Sequence, residues 1–139
     1  MSLYKQFKTD QSIEKAGIIL HYGSNSKGQP IEFRVARAGG ANDQYAKVME
    51  LKTKPHRRQI QNETIDLATL ERILREVYAQ TVVIGWSGVE DENGNDLPYT
   101  VENCIKLFAD LPDLFKDIQE QTQKSALFRQ ELIEADSKN

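Results

Sequence analysis

Two histidines and one cysteine are the side chains of this 139-residue chain best suited to chemistry, together with one cluster of carboxylates and amides. His21 lies beside Tyr22 in an apolar stretch, and His56 follows Pro55 in a basic run. Neither has a partner at a spacing that would make it a general base or a metal ligand, so both read as surface or half-packed side chains. Cys104 is the lone cysteine, which leaves no disulfide framework and no thiolate zinc cluster. A nucleophilic cysteine needs a base and an exposed, electropositive setting. The neighbours of Cys104 offer neither, and it reads as a small core hydrophobe. Asp91, Asn93, Asn95 and Glu102 fall at positions one, three, five and twelve of a calcium-loop pattern. The sixth position, which needs glycine for its sharp turn, is Asp96, and Pro98 follows at the eighth. Turn chemistry therefore explains the loop without an ion. Arg37-Ala38-Gly39-Gly40-Ala41-Asn42 lacks the Lys-Ser/Thr that grips phosphate and metal. The remaining carboxylates follow helical surface spacing. The expectation is a chain with no catalytic residue, no bound metal and no cofactor.

Lys52-Thr53-Lys54-Pro55-His56-Arg57-Arg58 is the one basic cluster. It has no interleaved aromatics for base stacking, and the chain as a whole carries a formal charge of −3. That balance argues against bulk attraction to nucleic acid or to an anionic membrane. No run approaches the ~20 apolar residues of a membrane span, and the first residues have no signal-peptide core. The expected setting is the cytoplasm in which the chain is made. A hydrophobic content of 39% with 28% charged residues is ordinary for a globular chain of one domain, 1–139.

Around these residues the pattern predicts an α+β fold, predominantly α-helical, with an N-terminal β-hairpin packed on a bundle of about four helices. Leu3, Tyr4, Phe7 and Ile13 are candidate anchors in a polar lead-in, and Asp10 caps a single turn ending at Gly17. The hairpin spans 17–36: Ile18 to Tyr22 is β-branched and aromatic, and Ile31, Phe33 and Val35 alternate with polar neighbours. Two strands alone are marginal in water, so the free edge of the hairpin leaves self-association into a homo-oligomer open. Helices are predicted over 43–60, with Asn42 as cap and Pro55 as a kink or restart, and over 67–84 with Asp66 as cap. Leu67, Leu70, Leu74, Val77, Thr81 and Ile84 form the apolar stripe of the second, flanked by Ile73 and Tyr78, and should lie at the centre of the core. Gly85 to Asn103 holds the only tryptophan. Asn93-Gly94 suits a type I′ turn with Val89 and Leu97 on its two arms. Thr100 caps a helix over 101–110, with Tyr99 and Cys104 as a hydrophobic staple. A last helix over 112–135 starts at Pro112.

The order of these motifs carries a resemblance. A strand followed by Arg37-Ala38-Gly39-Gly40-Ala41-Asn42 precedes Lys54-Pro55-His56-Arg57-Arg58 and Gly85-Trp86-Ser87-Gly88-Val89. Asp91-Glu92-Asn93-Gly94, Leu97-Pro98-Tyr99-Thr100-Val101-Glu102-Asn103, Leu111-Pro112-Asp113-Leu114-Phe115 and Phe128-Arg129 follow. From about residue 10 onward the chain resembles the tail-assembly chaperones of long-tailed, siphovirus-type bacteriophages. The resemblance implies a protein that binds the tape-measure protein, and contacts tail tube subunits, while the tube polymerises in the host bacterial cytoplasm. It implies absence from the finished particle and supplies no catalytic residue. Trp86, Pro98 and Tyr99 match the family pattern and read as architectural.

Helix periodicity, independently of the resemblance, nominates Leu114, Phe115, Phe128 and Leu132 as partner-binding residues on the last helix. A structural phage tail or head–tail joining protein retained in the virion is the alternative reading. A small regulator contacting nucleic acid through Lys52 to Arg58 is the weaker third.

Overall fold

Helices α1 (Leu3–Phe7) and α2 (Gln11–Ala16) lead into strands β1 (Ile18–Ser24) and β2 (Pro30–Val35) in a computed structural model that describes residues 2–129. Helix α3 (Asp43–Thr53) tightens to a 3-10 turn at Lys54–His56, around Pro55, and continues as α4 (Arg57–Gln61). The long helix α5 (Leu67–Thr81) runs straight into β3 (Val83–Ser87). Helices α6 (Val101–Asp110) and α7 (Pro112–Gln123) and a 3-10 turn at Ser125–Phe128 complete the described chain. The fold is α+β and helix-dominated, as the pattern implies.

Three boundaries differ from expectation, each for a physical reason. The hairpin is not alone: β3 pairs antiparallel with β2, giving a three-stranded sheet in the order β1-β2-β3. Ile84 therefore belongs to a strand. The β-branched side chains of Val83 and Ile84 fit a strand better than a last helical turn, and Val83 pairs with Val35. The helix predicted over 112–135 ends at Gln123, because Lys124 turns extended and the chain tightens into the 3-10 turn; residues 130–135 lie outside the described residues. The loop at Asn93-Gly94 is not type I′. Only Gly94 has positive φ, and its N–H donates to the Asp91 carbonyl. This is a type I turn closed by a left-handed glycine, and the Leu97 N–H donates to the Val89 carbonyl across the two arms, as expected.

The 25–29 loop is built in the same way. Asn25 Oδ1 accepts from the N–H groups of Lys27 and Gln29, and Asp91 Oδ1 accepts from those of Asn93 and Asn95. Each loop has its left-handed glycine, Gly28 and Gly94. The two loops also hold each other. Glu90 accepts from the Ser26 N–H and hydroxyl, Lys27 meets Asp96 at 3.2 Å, and Asn25 donates to the Gly88 carbonyl. At Gly88 a Cβ would collide with the Pro30 carbonyl, so this close approach of backbones needs glycine.

The junction between α5 and β3 has no loop, and the carbonyls left over at the helix end are satisfied from three directions. Asn42 Nδ2 donates to the Thr81 carbonyl, the Ala36 N–H to that of Val82, and the Tyr99 hydroxyl to that of Val83. Asn42 stands at the cap position of α3 but makes no cap hydrogen bond; its buried amide bridges Arg37 and Thr81 instead. Asp66 likewise makes no backbone cap and accepts only from Thr69 at 3.5 Å. Asp10 and Thr100 cap their helices as expected.

One face of the sheet packs on the helices. Phe33 and Val35 are fully buried there, Phe33 meets Tyr22 and Trp86, and Trp86 meets Tyr99 edge-on. The buried side of α5 is rotated from the expected stripe. Ile73, Val77, Tyr78 and Ala79 are buried, Leu70 and Leu74 are half-buried, and Leu67 is exposed. Ile73→Ala should therefore cost about 2–5 kcal/mol. Leu67→Ala should stay within about 0.5 kcal/mol. Urea unfolding of the two variants checks the difference.

Candidate functional site

Of the residues nominated for partner binding, Phe115 and Phe128 face inward. Phe115 is 8% exposed, stacks on Phe108 at 4.7 Å and meets Tyr78 edge-on. Phe128 is fully buried, and its carbonyl accepts from the Asp10 N–H. Leu114 is half-buried against the core, and Leu132 lies outside the described residues. Periodicity marks a buried stripe and a docking stripe alike, which is why it selected these residues. Phe115 and Phe128 on this stripe therefore serve the core of the chain itself.

Among the described residues the most open apolar surface is on α1, whose residues were expected to be anchors. Leu3, Tyr4 and Phe7 are 71%, 82% and 61% exposed. They stand out because the segment behind them is pinned. Asp10 Oδ1 accepts from the N–H groups of Ser12 and Ile13, and Thr9 and Arg129 form an antiparallel bridge. The Arg129 guanidinium lies over the Phe7 ring at 5.2 Å. An open depression lined by Phe7 to Gln11 lies alongside.

A buried carboxylate, which sequence patterns gave no reason to single out, anchors this segment to the body. Glu14 is 2% exposed; it accepts from the Thr9 hydroxyl at 2.6 Å, from Arg37 Nη1 at 2.9 Å and from the Ala41 N–H at 3.1 Å. This assigns a purpose to the Arg37–Asn42 motif. Arg37 and Ala41 bond Glu14, Asn42 bonds the Arg37 and Thr81 carbonyls, and Gly40, with φ +55°, leaves room that a Cβ would take from Glu14. Burial pushes the Glu14 carboxyl up, but the hydrogen bonds from Thr9, Arg37 and Ala41, with the Arg37 charge, outweigh it and hold it below the usual carboxylate range.

The other chemistry-bearing residues do not converge. His21 pairs with Glu32 at 3.3 Å on exposed sheet surface, and His56 meets Gln59. Cys104 is fully buried, and burial pushes its thiol up to about 12. It is no thiolate at neutral pH. The Asp91 carboxylate is used by its own loop, in the role Asn25 plays without a charge. Among the described residues, no group of three histidine, cysteine or acidic side chains is placed to hold a metal ion. In the basic cluster, Lys52 meets Glu76 at 3.6 Å and Arg57 meets Glu50 at 3.8 Å, so two of its charges face carboxylates. No helix among the described residues is long and apolar enough to cross a membrane.

A family model described as the YdaY prophage protein matches residues 40–139. The chain belongs to that family. It is a phage-derived protein, which is the broader part of what the motif order suggested. The match takes in α3 to α7 and β3, while α1, α2, β1 and β2 precede it. Nothing among curated proteins or solved structures matches this YdaY-family chain.

Glu14 makes the anchor sensitive to acid. Because its carboxyl is held below the ordinary 4.5, its contribution is complete above that pH and is lost as pH falls through the lower folded value. Glu14→Gln should cost about 1.5–3 kcal/mol at pH 7. In urea titrations the gap between wild type and variant should close on moving from pH 6 towards ~pH 3.

Proposed function

We propose that this phage-derived chain is a tail-assembly chaperone, a non-enzymatic protein that binds the tape-measure protein, and tail tube subunits, during tail morphogenesis in the host cytoplasm. The observation that supports this reading best is the exposed apolar face of α1, presented by a segment that the Glu14 and Asp10 hydrogen bonds hold in place. Exposed apolar side chains on a rigid base suit a protein that covers another chain's apolar surface. A tape-measure chain is long and helical, and its apolar stripes would aggregate before the tube encloses them. Shielding such surface reversibly needs no bond to be made or broken, in keeping with a thiol held neutral by burial.

Co-expression with the tape-measure protein of the same phage tests the reading. The two proteins should co-purify, and the soluble yield of the tape-measure protein should rise. The triple substitution Leu3→Ser, Tyr4→Ser and Phe7→Ser should abolish co-purification while shifting stability by no more than about 0.5 kcal/mol per site. Absence of any complex, or stoichiometric retention of the chain in purified virions by mass spectrometry, would overturn the chaperone reading; retention would favour a structural tail component.

A further inference from the structure

A second surface, remote in sequence from α1, has a chemistry of its own. Between α6 and the loop at 89–97 runs an open groove of about 330 Å³. Its floor is apolar, made by Leu97, Leu107 and Leu111. Leu111 is 49% exposed. Leu107 is on α6, and Leu111 stands just past its end, out of helical conformation, with its N–H donating to the Leu107 carbonyl. The loop side is acidic, with Glu90, Asp91 and Glu92, while the helix side brings Asp110 together with Lys106. Lys106 is the one cation in the lining, so the groove concentrates a formal −3, as much as the whole chain carries.

The negative potential is reinforced by the backbone. Asp110 is the last residue of α6, where the partial negative charge of the helix end disfavours a carboxylate. Glu90 stays ionised, because hydrogen bonds from the Ser26 hydroxyl and N–H hold its carboxyl below the usual range. Glu90 and Asp91 also serve their loops through hydrogen bonds, whereas Glu92 and Asp110 are exposed beside the groove. The carboxylates do not converge on a point as ion ligands would; they flank a strip of leucine.

We propose that this groove docks a cationic amphipathic helix of a partner protein, with apolar side chains on the leucine floor and lysine or arginine against the loop carboxylates and Asp110. The leucine floor suits the apolar stripe of such a helix, and the carboxylates beside it suit its flanking cations. Flanking cations would cancel the repulsion at the end of α6. The inference goes beyond the tail-assembly reading and stands on the chemistry of the groove alone.

The probe is a synthetic leucine–lysine amphipathic peptide of about 18 residues, five helical turns. It is titrated into the isotope-labelled full chain and followed by backbone NMR shifts. Shifts should gather on Glu90–Leu97 and Asn103–Leu111, and binding should weaken with added salt. The pair Glu92→Lys and Asp110→Lys should weaken binding about tenfold or more, equivalent to ~1.4 kcal/mol, and Leu111→Ser should weaken it too. The same reversals at Glu71 and Glu120, exposed on α5 and α7, should leave affinity unchanged. Three results would overturn the proposal: equal binding of a leucine–glutamate peptide, shifts spread over the acidic surface, or equal loss from the control pair. A tape-measure protein that co-purifies equally with the groove variants would leave the chaperone reading intact and remove it from this groove. Failure of co-purification with the wild type would not touch the peptide result.

Discussion

The structure depends on the direct passage from α5 into β3. A helix that ends without a loop leaves carbonyls facing the interior, and each costs about 1–3 kcal/mol if left without a partner. Three separate parts of the chain come to Thr81, Val82 and Val83: Asn42 from the head of α3, Ala36 from the end of β2, and Tyr99 from the segment before α6. These bonds fix where the sheet meets the helices. They also explain why Asn42 is buried and makes no cap, and why Tyr99 is oriented with its hydroxyl inward.

From that junction the two ends of the molecule are set. Ala36 leads into Arg37, whose guanidinium reaches Glu14 and so anchors α2 and the segment carrying α1. On the far side, β3 leads through Gly88 to the second of two matched loops, which the Ser26–Glu90 and Lys27–Asp96 contacts tie to the first. The acidic groove lies where that loop faces α6. Both candidate surfaces are therefore peripheral features held by one frame, and the groove shares Leu97 and Leu107 with the side chains packed against the core. Phe115 and Phe128 belong to the frame, and a partner reaching them would have to dismantle it.

Much of this was legible in the chain. Local signals survived wherever they answered to local physics: Asp10 and Thr100 cap their helices, Val89 and Leu97 share a hydrogen bond across a tight reversal, and Pro112 opens α7. The 101–110 helix has the expected bounds. Local signals failed where a distant partner competed for the same group. Asn42 had a cap position and a buried carbonyl to choose between. Ile84 continued a helical stripe and also completed a β-branched run, and pairing with β2 decided between them. Glu14 stayed invisible because its value comes from Thr9, Arg37 and Ala41 acting together.

The sequence by itself determined the helix-dominated α+β character, the position of most turns and caps, and, through the order of its motifs, the phage connection that the YdaY family match supports. These rest on interactions between residues a few positions apart, which spacing records. Only the tertiary structure decided which apolar stripes face inward, because burial depends on what packs opposite. The same rule turned Phe115 and Phe128 into core, left Leu3, Tyr4 and Phe7 outside, and set four carboxylates beside three leucines from two different elements.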